Sequence, residues 1–158
     1  MPVRTIEARL PASGLRVAIV VSKYHDFITD RLQTGAIAAL TAAGVNADCM
    51  TVVRVPGSFE LPSAAQQVAE GGGFDAVVCL GCLIKGETPH MEFIASAVAH
   101  GLTAAAATTG VPMTFGVLTT NSVEEALARA GDGSDNKGWE AASAAVEMAS
   151  VVAQLRKP

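Results

Sequence analysis

Short apolar runs alternate along this chain with longer stretches in which apolar residues recur every three or four positions. A short continuous apolar run is typical of a strand buried on both faces, whereas the longer spacing is typical of a helix. Residues 27–43 show the helical spacing through Ile28, Leu32, Ile37 and Leu40, and Gly44 can end that helix. The pattern predicts strands at 15–21, 49–53, 74–80 and 111–118, and helices at about 27–43, 60–70, 91–109, 122–130 and 138–156.

Strands that alternate with helices predict a parallel sheet covered on both faces. The expected fold is a three-layer α/β/α sandwich with a four-stranded parallel sheet, of flavodoxin-like type. The length of 158 residues fits one domain over residues 1–158.

Composition narrows the class of protein. Half of the residues are apolar and only 16% are charged, which favours surface buried in an oligomer, although a high alanine content alone gives the same figures. No apolar run approaches the ~20 residues that span a bilayer, and the N-terminus lacks the apolar core of a signal peptide, so a cytoplasmic protein is expected. The net charge of −4, without a basic cluster, argues against nucleic acid as a partner.

The three cysteines, Cys49, Cys79 and Cys82, are interpreted as reduced and structural. Cys79 and Cys82 have CxxC spacing, but they lie near the end of a predicted strand, where residues three apart point to opposite faces. A redox pair would need a helix N-terminus, and a zinc site would need a second Cys/His cluster.

The segment 81–90, GCLIKGETPH, carries the strongest candidate chemistry. It is predicted to turn from the third strand into a helix, with Thr88 as N-cap and Pro89 at the first helical position. Free amides at that helix start, with Gly86, Glu87 and Thr88, would form an anion site. His90 beside an anion suggests proton transfer, although an isolated histidine is more often a surface or capping residue.

Other unusual residues also follow predicted strands, at 22–26, 55–60 and 119–121. Ligands of open parallel sheets bind beyond the carboxyl ends of the strands, so these segments are expected to surround one site. Pro56-Gly57 predicts a turn that lets backbone approach a ligand. His25 is expected at most at the edge of the site.

Four ordered blocks carry a family resemblance: VPGSFELP at 55–62, GCLIKGETPH at 81–90, GVPMTFGVLTT at 110–120 and RAGDGSDNKG at 129–138. Together they resemble lumazine synthases, from about residue 15 to the C-terminus. The resemblance implies condensation of 5-amino-6-(D-ribitylamino)uracil with 3,4-dihydroxy-2-butanone 4-phosphate, without a metal or redox cofactor. The open alternatives are a non-catalytic lumazine or flavin carrier on the same scaffold, and a flavodoxin-like or response-regulator domain, whose characteristic loops are missing here.

The same resemblance implies roles for individual residues. His90 matches the proton-transfer residue, and Arg129 matches a phosphate ligand, with Gly86, Glu87 and Thr88 beside it. The positions that match the pyrimidine and ribityl site are Tyr24, Ser58, Phe59, Glu60, Cys82, Leu83, Ile84, Phe115 and Lys137. From the residues alone, Arg129 is a helix C-terminal charge, Lys137 a solvated turn lysine, and Phe59 as easily a core residue.

The resemblance further implies a homo-oligomer of pentamers with shared sites, and riboflavin synthase as a candidate protein partner. The segment 5–10 would add an edge strand to a neighbouring subunit's sheet. Arg129 and Lys137 are separated by seven residues, AGDGSDN, as in members that build an icosahedral sixty-subunit shell, so the shell is favoured over the free pentamer. Asp132 and Asp135 depart from the usual shell-forming turn, and Asp135 would have to adopt a glycine's backbone angle.

Overall fold

The structure, a computed structural model, describes residues 2–157 and contains one four-stranded parallel sheet with the strand order β2-β1-β3-β4. The strands are β1 (Val17–Ser22), β2 (Met50–Val55), β3 (Ala76–Ile84) and β4 (Met113–Thr120). The helices are α1 (Asp26–Ala42), α2 (Leu61–Glu70), α3 (His90–Thr109), α4 (Val123–Ala128) and α5 (Lys137–Leu155). The predicted order of elements and the parallel sheet are confirmed.

Each face of the sheet has its own apolar core, because successive strand residues point to opposite faces. Val17, Ile19 and Val21 of β1 pack with Leu32 and Val146 of helices α1 and α5. On the other face, Ala18 and Val20 pack with apolar side chains of α2 and α3, among them Leu61 and Val98. The continuous apolar strand runs of the sequence therefore correspond to a sheet that is covered twice.

The cysteines divide between the two cores as the alternation predicts. Cys79 lies in the α2/α3 core, Cys82 lies in the α1/α5 core, and all three cysteines are free. Burial raises the pKa of the Cys79 thiol to about 12 and that of Cys82 to about 11, so both stay protonated at neutral pH. They are packing residues.

Strand β3 is longer than predicted and continues to Ile84, so the first part of GCLIKGETPH is strand rather than loop. Its ladder with β4 runs from Val77 opposite Met113 to Ile84 opposite Thr120. The prediction treated Gly81 as a turn glycine, but its role is spatial: a Cβ there would lie 2.5 Å from the Ser58 Oγ. Long-range packing therefore explains this glycine.

Helix α3 begins at His90, one residue after the start that the Thr88-Pro89 cap predicted. Pro89, with ψ of 15°, is the N-cap residue, and no side chain caps the helix, so the prediction of Thr88 as N-cap and Pro89 as first helical residue was wrong. His90 is consequently the first residue of the helix, and its amide is one of the donors that the helix leaves unpaired.

The sheet has two edge strands, β2 and β4, and the N-terminal segment pairs with neither of them in its own chain. Residues 2–9 hold no regular secondary structure, and two of them contact α5: the Arg9 amide donates to Ser150 Oγ at 2.8 Å, and the Glu7 carbonyl accepts from Gln154 Nε2 at 2.7 Å. Thr51, Val52 and Arg54 of β2 are exposed. Within residues 2–157, both edges of the sheet are therefore unpaired.

Candidate active site

A cavity of about 600 Å³ lies beyond the carboxyl ends of β1, β2 and β3, and we call it the histidine cavity. Sequence-predicted residues from the end of β3 and from the segments that follow the three strands line it: Tyr24, Ser58, Phe59, Glu60, Leu83, Ile84, Gly86, Thr88 and His90. His25, Gly57, Met91, Ile94 and Val123 complete the lining. The topological argument from strand ends thus located this cavity correctly.

The turn after β1 sets one wall of the histidine cavity. His25 is the N-cap residue of α1 and adopts a left-handed backbone, with φ 60° and ψ 49°. Its carbonyl accepts the Ile28 and Thr29 amides at 2.9 and 3.0 Å, and the chain thereby reverses sharply into the helix. Tyr24 remains 66% exposed, so its aromatic face is open to a ligand.

The turn after β2 forms the opposite wall. Residues Ser58–Glu60 make a single 3-10 turn that leads into α2, and Pro62 at the start of that helix suits its free N-terminal turn. Ser58 is 4% exposed, and its buried Oγ has no hydrogen-bond partner within residues 2–157. The Phe59 side chain is 63% exposed, so the alternative that it is a core residue is wrong. The Ser58 hydroxyl lies against Gly81 of β3, so the protein itself encloses it.

The floor and mouth of the histidine cavity come from β3 and the loop after it. Leu83 and Ile84 are held in the β3–β4 ladder, while residues 85–90 are exposed. His90 stands at the mouth with the first-turn amides of α3, an arrangement that favours an anion at this end of the cavity.

A second, shallower cavity of about 420 Å³ lies along β4 and the first turns of α5, and we call it the arginine cavity. Phe115, Arg129 and Lys137 line it, with Glu140 and the small residues Gly116, Ala141 and Ala144. Phe115 is 45% exposed on the edge strand, and Lys137 Nζ lies 2.9 Å from Glu140 Oε2. None of these residues lines the histidine cavity.

Asn136 fixes the geometry behind the arginine cavity. Its buried side chain donates to the Arg31 and Gly131 carbonyls at 3.0 and 2.8 Å and accepts the Gly138 and Trp139 amides at 2.7 and 3.2 Å. It therefore caps α5 and ties that helix to α1 and to the preceding turn. The Lys137 amide donates to the Arg129 carbonyl at 2.9 Å, so the two cationic residues are linked through backbone.

The predicted residues thus fall into two groups on one chain, and two of them lie outside both cavities. The Cys82 side chain is buried in the α1/α5 core, and Glu87 is exposed on the loop without lining the histidine cavity. His25 was expected only at the edge, yet it lines the wall. The sequence signal that could have indicated this is the position of His25 directly before the start of α1, where its left-handed backbone turns the chain.

The arrangement is suited to proton transfer and anion binding. Within residues 2–157 no group of three or more His, Cys, Asp or Glu side chains is placed to hold a metal ion. In the same range no helix is both long and apolar enough to cross a membrane.

Comparison with known proteins places the chain in one family. The family model described as 6,7-dimethyl-8-ribityllumazine synthase matches residues 14–153. A protein of Syntrophus aciditrophicus (strain SB), named 6,7-dimethyl-8-ribityllumazine synthase, is 47% identical over 155 residues, which cover 98% of this chain and 100% of that protein.

Proposed function

Because the chain belongs to the 6,7-dimethyl-8-ribityllumazine synthase family, we propose that it is a transferase of riboflavin biosynthesis. It condenses 5-amino-6-(D-ribitylamino)uracil with 3,4-dihydroxy-2-butanone 4-phosphate and releases phosphate and water. The observation that carries this proposal is His90 at the first position of α3, at the mouth of the cavity that the strand ends surround. No metal or redox cofactor takes part.

The reaction requires repeated proton movement. The pyrimidine's amine attacks the ketone, and loss of water gives an imine. Phosphate then leaves, the resulting enol tautomerises, and the second amine closes the ring with loss of water. An imidazole is the side chain best matched to accept and return protons near neutral pH, and we assign this role to His90.

The histidine cavity suits the pyrimidine and its ribityl chain. Tyr24 offers an aromatic face for the heterocycle, which Leu83 and Ile84 support from the floor. We propose that the Ser58 backbone and the Glu60 carboxylate bond hydroxyl groups of the ribityl chain, because both residues line the cavity while the Ser58 Oγ itself is buried. Phe59 lies in the same turn, and Cys82 can contribute only its backbone, because its side chain is buried.

The phosphate of the second substrate would lie at the start of α3. One side of this position is formed by Gly86, Thr88 and the amides of the helix's first turn. Glu87 lies between Gly86 and Thr88 and contributes its backbone. A phosphate also needs cations, and Arg129 supplies a planar fork that matches its oxygens. Arg129 lines the arginine cavity, so we propose that it reaches the phosphate from a second copy of the chain, together with Phe115 and Lys137.

Such sharing requires a closed homo-oligomer, and we propose pentamers that pack into the icosahedral sixty-subunit shell. Residues 5–10 would leave α5 and pair with the exposed edge of β2 in a neighbouring subunit. The short turn between Arg129 and Lys137 supports the shell. In that turn Gly133 has the positive φ, whereas Asp135 lies in a 3-10 turn and does not adopt a left-handed backbone. Riboflavin synthase is the proposed protein partner, since it consumes the lumazine product.

The test of the reaction is to mix both substrates with the purified protein and follow the fluorescence of the lumazine and the release of phosphate. His90→Ala is expected to slow turnover by about 10- to 1000-fold, since general acid–base groups contribute roughly 10²–10⁴ and the uncatalysed condensation dilutes the loss. His100→Ala is the matched control, because His100 is an exposed histidine of the same helix that bonds only Ser96.

Two outcomes would contradict the proposal. Lumazine binding without any release of phosphate would identify a non-catalytic carrier. Full turnover in His90→Ala would remove His90 from the mechanism. Light scattering at neutral pH tests the assembly separately: a pentamer-sized mass alone would exclude the shell, and a monomer would exclude shared sites.

A further inference from the structure

Gly81 lies on β3 directly beneath the turn that follows β2. Strand residues alternate between the two faces of the sheet, and the neighbours of Gly81 at alternate positions, Cys79 and Leu83, belong to the α2/α3 core. A Cβ built at position 81 would lie 2.5 Å from the Ser58 Oγ, 3.4 Å from the Ser58 Cβ and 3.3 Å from the Leu61 Cδ1. A contact under 3.0 Å requires one partner to shift. The Ser58 side chain therefore occupies the space that a larger residue at position 81 would need.

The Ser58 side chain is enclosed on β3 although it gains no hydrogen bond there. Its Oγ is buried and has no partner within residues 2–157. A buried hydroxyl without a partner is unfavourable, so hydrogen bonding does not explain this placement. The backbone before the turn is anchored, because the Pro56 carbonyl accepts the Tyr24 amide at 3.2 Å, and Leu61 after the turn is fully buried. The turn is thus fixed at both ends, and between them Ser58 packs it against β3.

The residues of this turn move together because they form one closed unit. The Gly57 carbonyl accepts the Glu60 amide at 3.3 Å, and a Cβ at position 57 would lie 3.3 Å from the Glu60 Oε1, so the carboxylate lies close to the start of the turn. All four residues from Gly57 to Glu60 line the histidine cavity. A group that pushed Ser58 away from β3 would therefore also displace the Glu60 carboxylate in the cavity wall.

We propose that Gly81 is a positioning residue for the condensation: because it has no side chain, Ser58 packs directly on β3, and this contact sets where Glu60 meets the ribityl chain. The inference rests on the proposed function, which assigns the ribityl chain to this turn. Gly81 acts through Ser58 and touches no substrate itself. The competing explanation is that the Ser58 side chain rotates freely enough to make room, so that residue 81 matters for packing alone.

The two explanations separate when a methyl group is added at position 81 in two backgrounds. In Gly81→Ala the methyl meets the Ser58 Oγ, and we expect the KM for the aminopyrimidine to rise about 3- to 10-fold, the effect of one lost hydrogen bond. The KM for the butanone phosphate should stay at its wild-type value, because its phosphate is assigned to the start of α3. In the Ser58→Ala background the Oγ is gone, and the remaining contacts of 3.3 and 3.4 Å need a shift of only a few tenths of an ångström. Adding Gly81→Ala there should change the aminopyrimidine KM by less than about 2-fold.

A larger side chain gives a second readout if Gly81→Ala alone yields no folded protein. Thermal unfolding and light scattering show whether each variant folds and assembles. In the Ser58→Ala background, Gly81→Val reaches the turn again, so the KM for the aminopyrimidine should rise while that for the butanone phosphate stays unchanged. An unchanged aminopyrimidine KM in this variant would show that residue 81 does not position the turn.

Turnover by the wild type tests the proposed function itself, independently of the variants. With an active wild type, an aminopyrimidine KM that Gly81→Ala leaves unchanged overturns the role of Gly81 alone. Equal rises of this KM in the two backgrounds overturn it as well, because Ser58 would then not transmit the effect. A loss of folding in both backgrounds also contradicts the proposal, since the clash would lie elsewhere.

Discussion

The histidine cavity and the arginine cavity are built from different kinds of structure. The histidine cavity lies where three strands end, and its walls are loops that enter helices α1, α2 and α3. The arginine cavity lies along an edge strand and the start of α5, and a single buried asparagine fixes the turn behind it. The first offers an imidazole and an aromatic face, and the second offers two cations.

The separation of the two cavities has a consequence for the proposed chemistry. A phosphorylated substrate that reacts at His90 needs a cation beside it, but the proposed cationic residues of the same chain line the other cavity. Under the proposed function, one chain therefore presents two incomplete halves of the site on different surfaces. In the proposed closed ring, each copy presents the same two surfaces, so that every site can be completed by a neighbour.

The sharpest test of this division is complementation between two defective variants. His90→Ala and Arg129→Ala each remove one half of the site, so each alone should be strongly impaired. When the two are co-expressed and assemble at random, about a quarter of the sites should pair an intact His90 with an intact Arg129 from the neighbour. The specific activity of the mixed oligomer, measured by lumazine fluorescence, should recover to roughly that fraction of wild type.

Separately expressed variants that are mixed without subunit exchange provide the control and should not recover. If each site were complete within one chain, co-expression would give only the mean of the two impaired activities.

Arg129→Ala should affect the two substrates unequally, because only one of them carries phosphate. The KM for the butanone phosphate is expected to rise about 10- to 100-fold, the effect of one or two lost hydrogen bonds to a charged group. Arg129→Lys should recover only part of this loss, since an ammonium lacks the bidentate fork. Steady-state kinetics with each substrate varied in turn checks the prediction, and equal rises of both KM values would make Arg129 structural.

Asn136→Ala should both loosen the turn behind the arginine cavity and lower the stability of the fold. Four hydrogen bonds are lost, including both that cap α5, and we expect the free energy of unfolding to fall by about 2–4 kcal/mol. Thermal unfolding at matched protein concentration measures the change. Asn136→Asp is the control, because it keeps the acceptor for α5 and should lose less. A stability equal to wild type in Asn136→Ala would show that neighbouring groups replace these bonds.

The smallest expected effect concerns the buried thiols in the cores beneath both cavities. Folding raises the pKa of Cys79 and Cys82 from 9.0 to about 12 and about 11, so the unfolded chain loses these protons first as pH rises. Their stabilising effect is fully present below pH 9 and declines as pH rises towards the folded-state values. At pH 10 the loss is about 1 kcal/mol per thiol.

Unfolding measured between pH 8 and pH 10 should therefore show a shallower decline in the double variant Cys79→Ala, Cys82→Ala than in the wild type. Parallel declines would contradict the assigned pKa values.

Local pattern predicted the fold well and the site only in part. Four strands and five helices were found in order because each carries its own periodicity, and the strand ends located the histidine cavity. Local pattern could not show why position 81 is a glycine, because the reason is the Ser58 side chain, which is more than twenty positions away in the sequence. Nor could it show that β3 continues to Ile84, beyond the predicted strand end at residue 80. His90 and Arg129 lie in motifs that the sequence assigns to one site, yet in the structure they line different cavities. Only the packing of the whole chain shows this separation.

The length of β3 has a consequence for the rate of the proposed condensation. Leu83 and Ile84 are fixed by the β3–β4 ladder before any substrate arrives, so the floor of the cavity loses little conformational freedom on binding. Two substrates must meet in one orientation, and effective molarities of about 10⁵ M or more are reached when such order is supplied in advance. Because the floor is a strand rather than a loop, its residues lose their conformational freedom once, on folding, and not again in each catalytic cycle. The activation entropy of the enzymatic reaction should accordingly be less unfavourable than that of the same condensation in water.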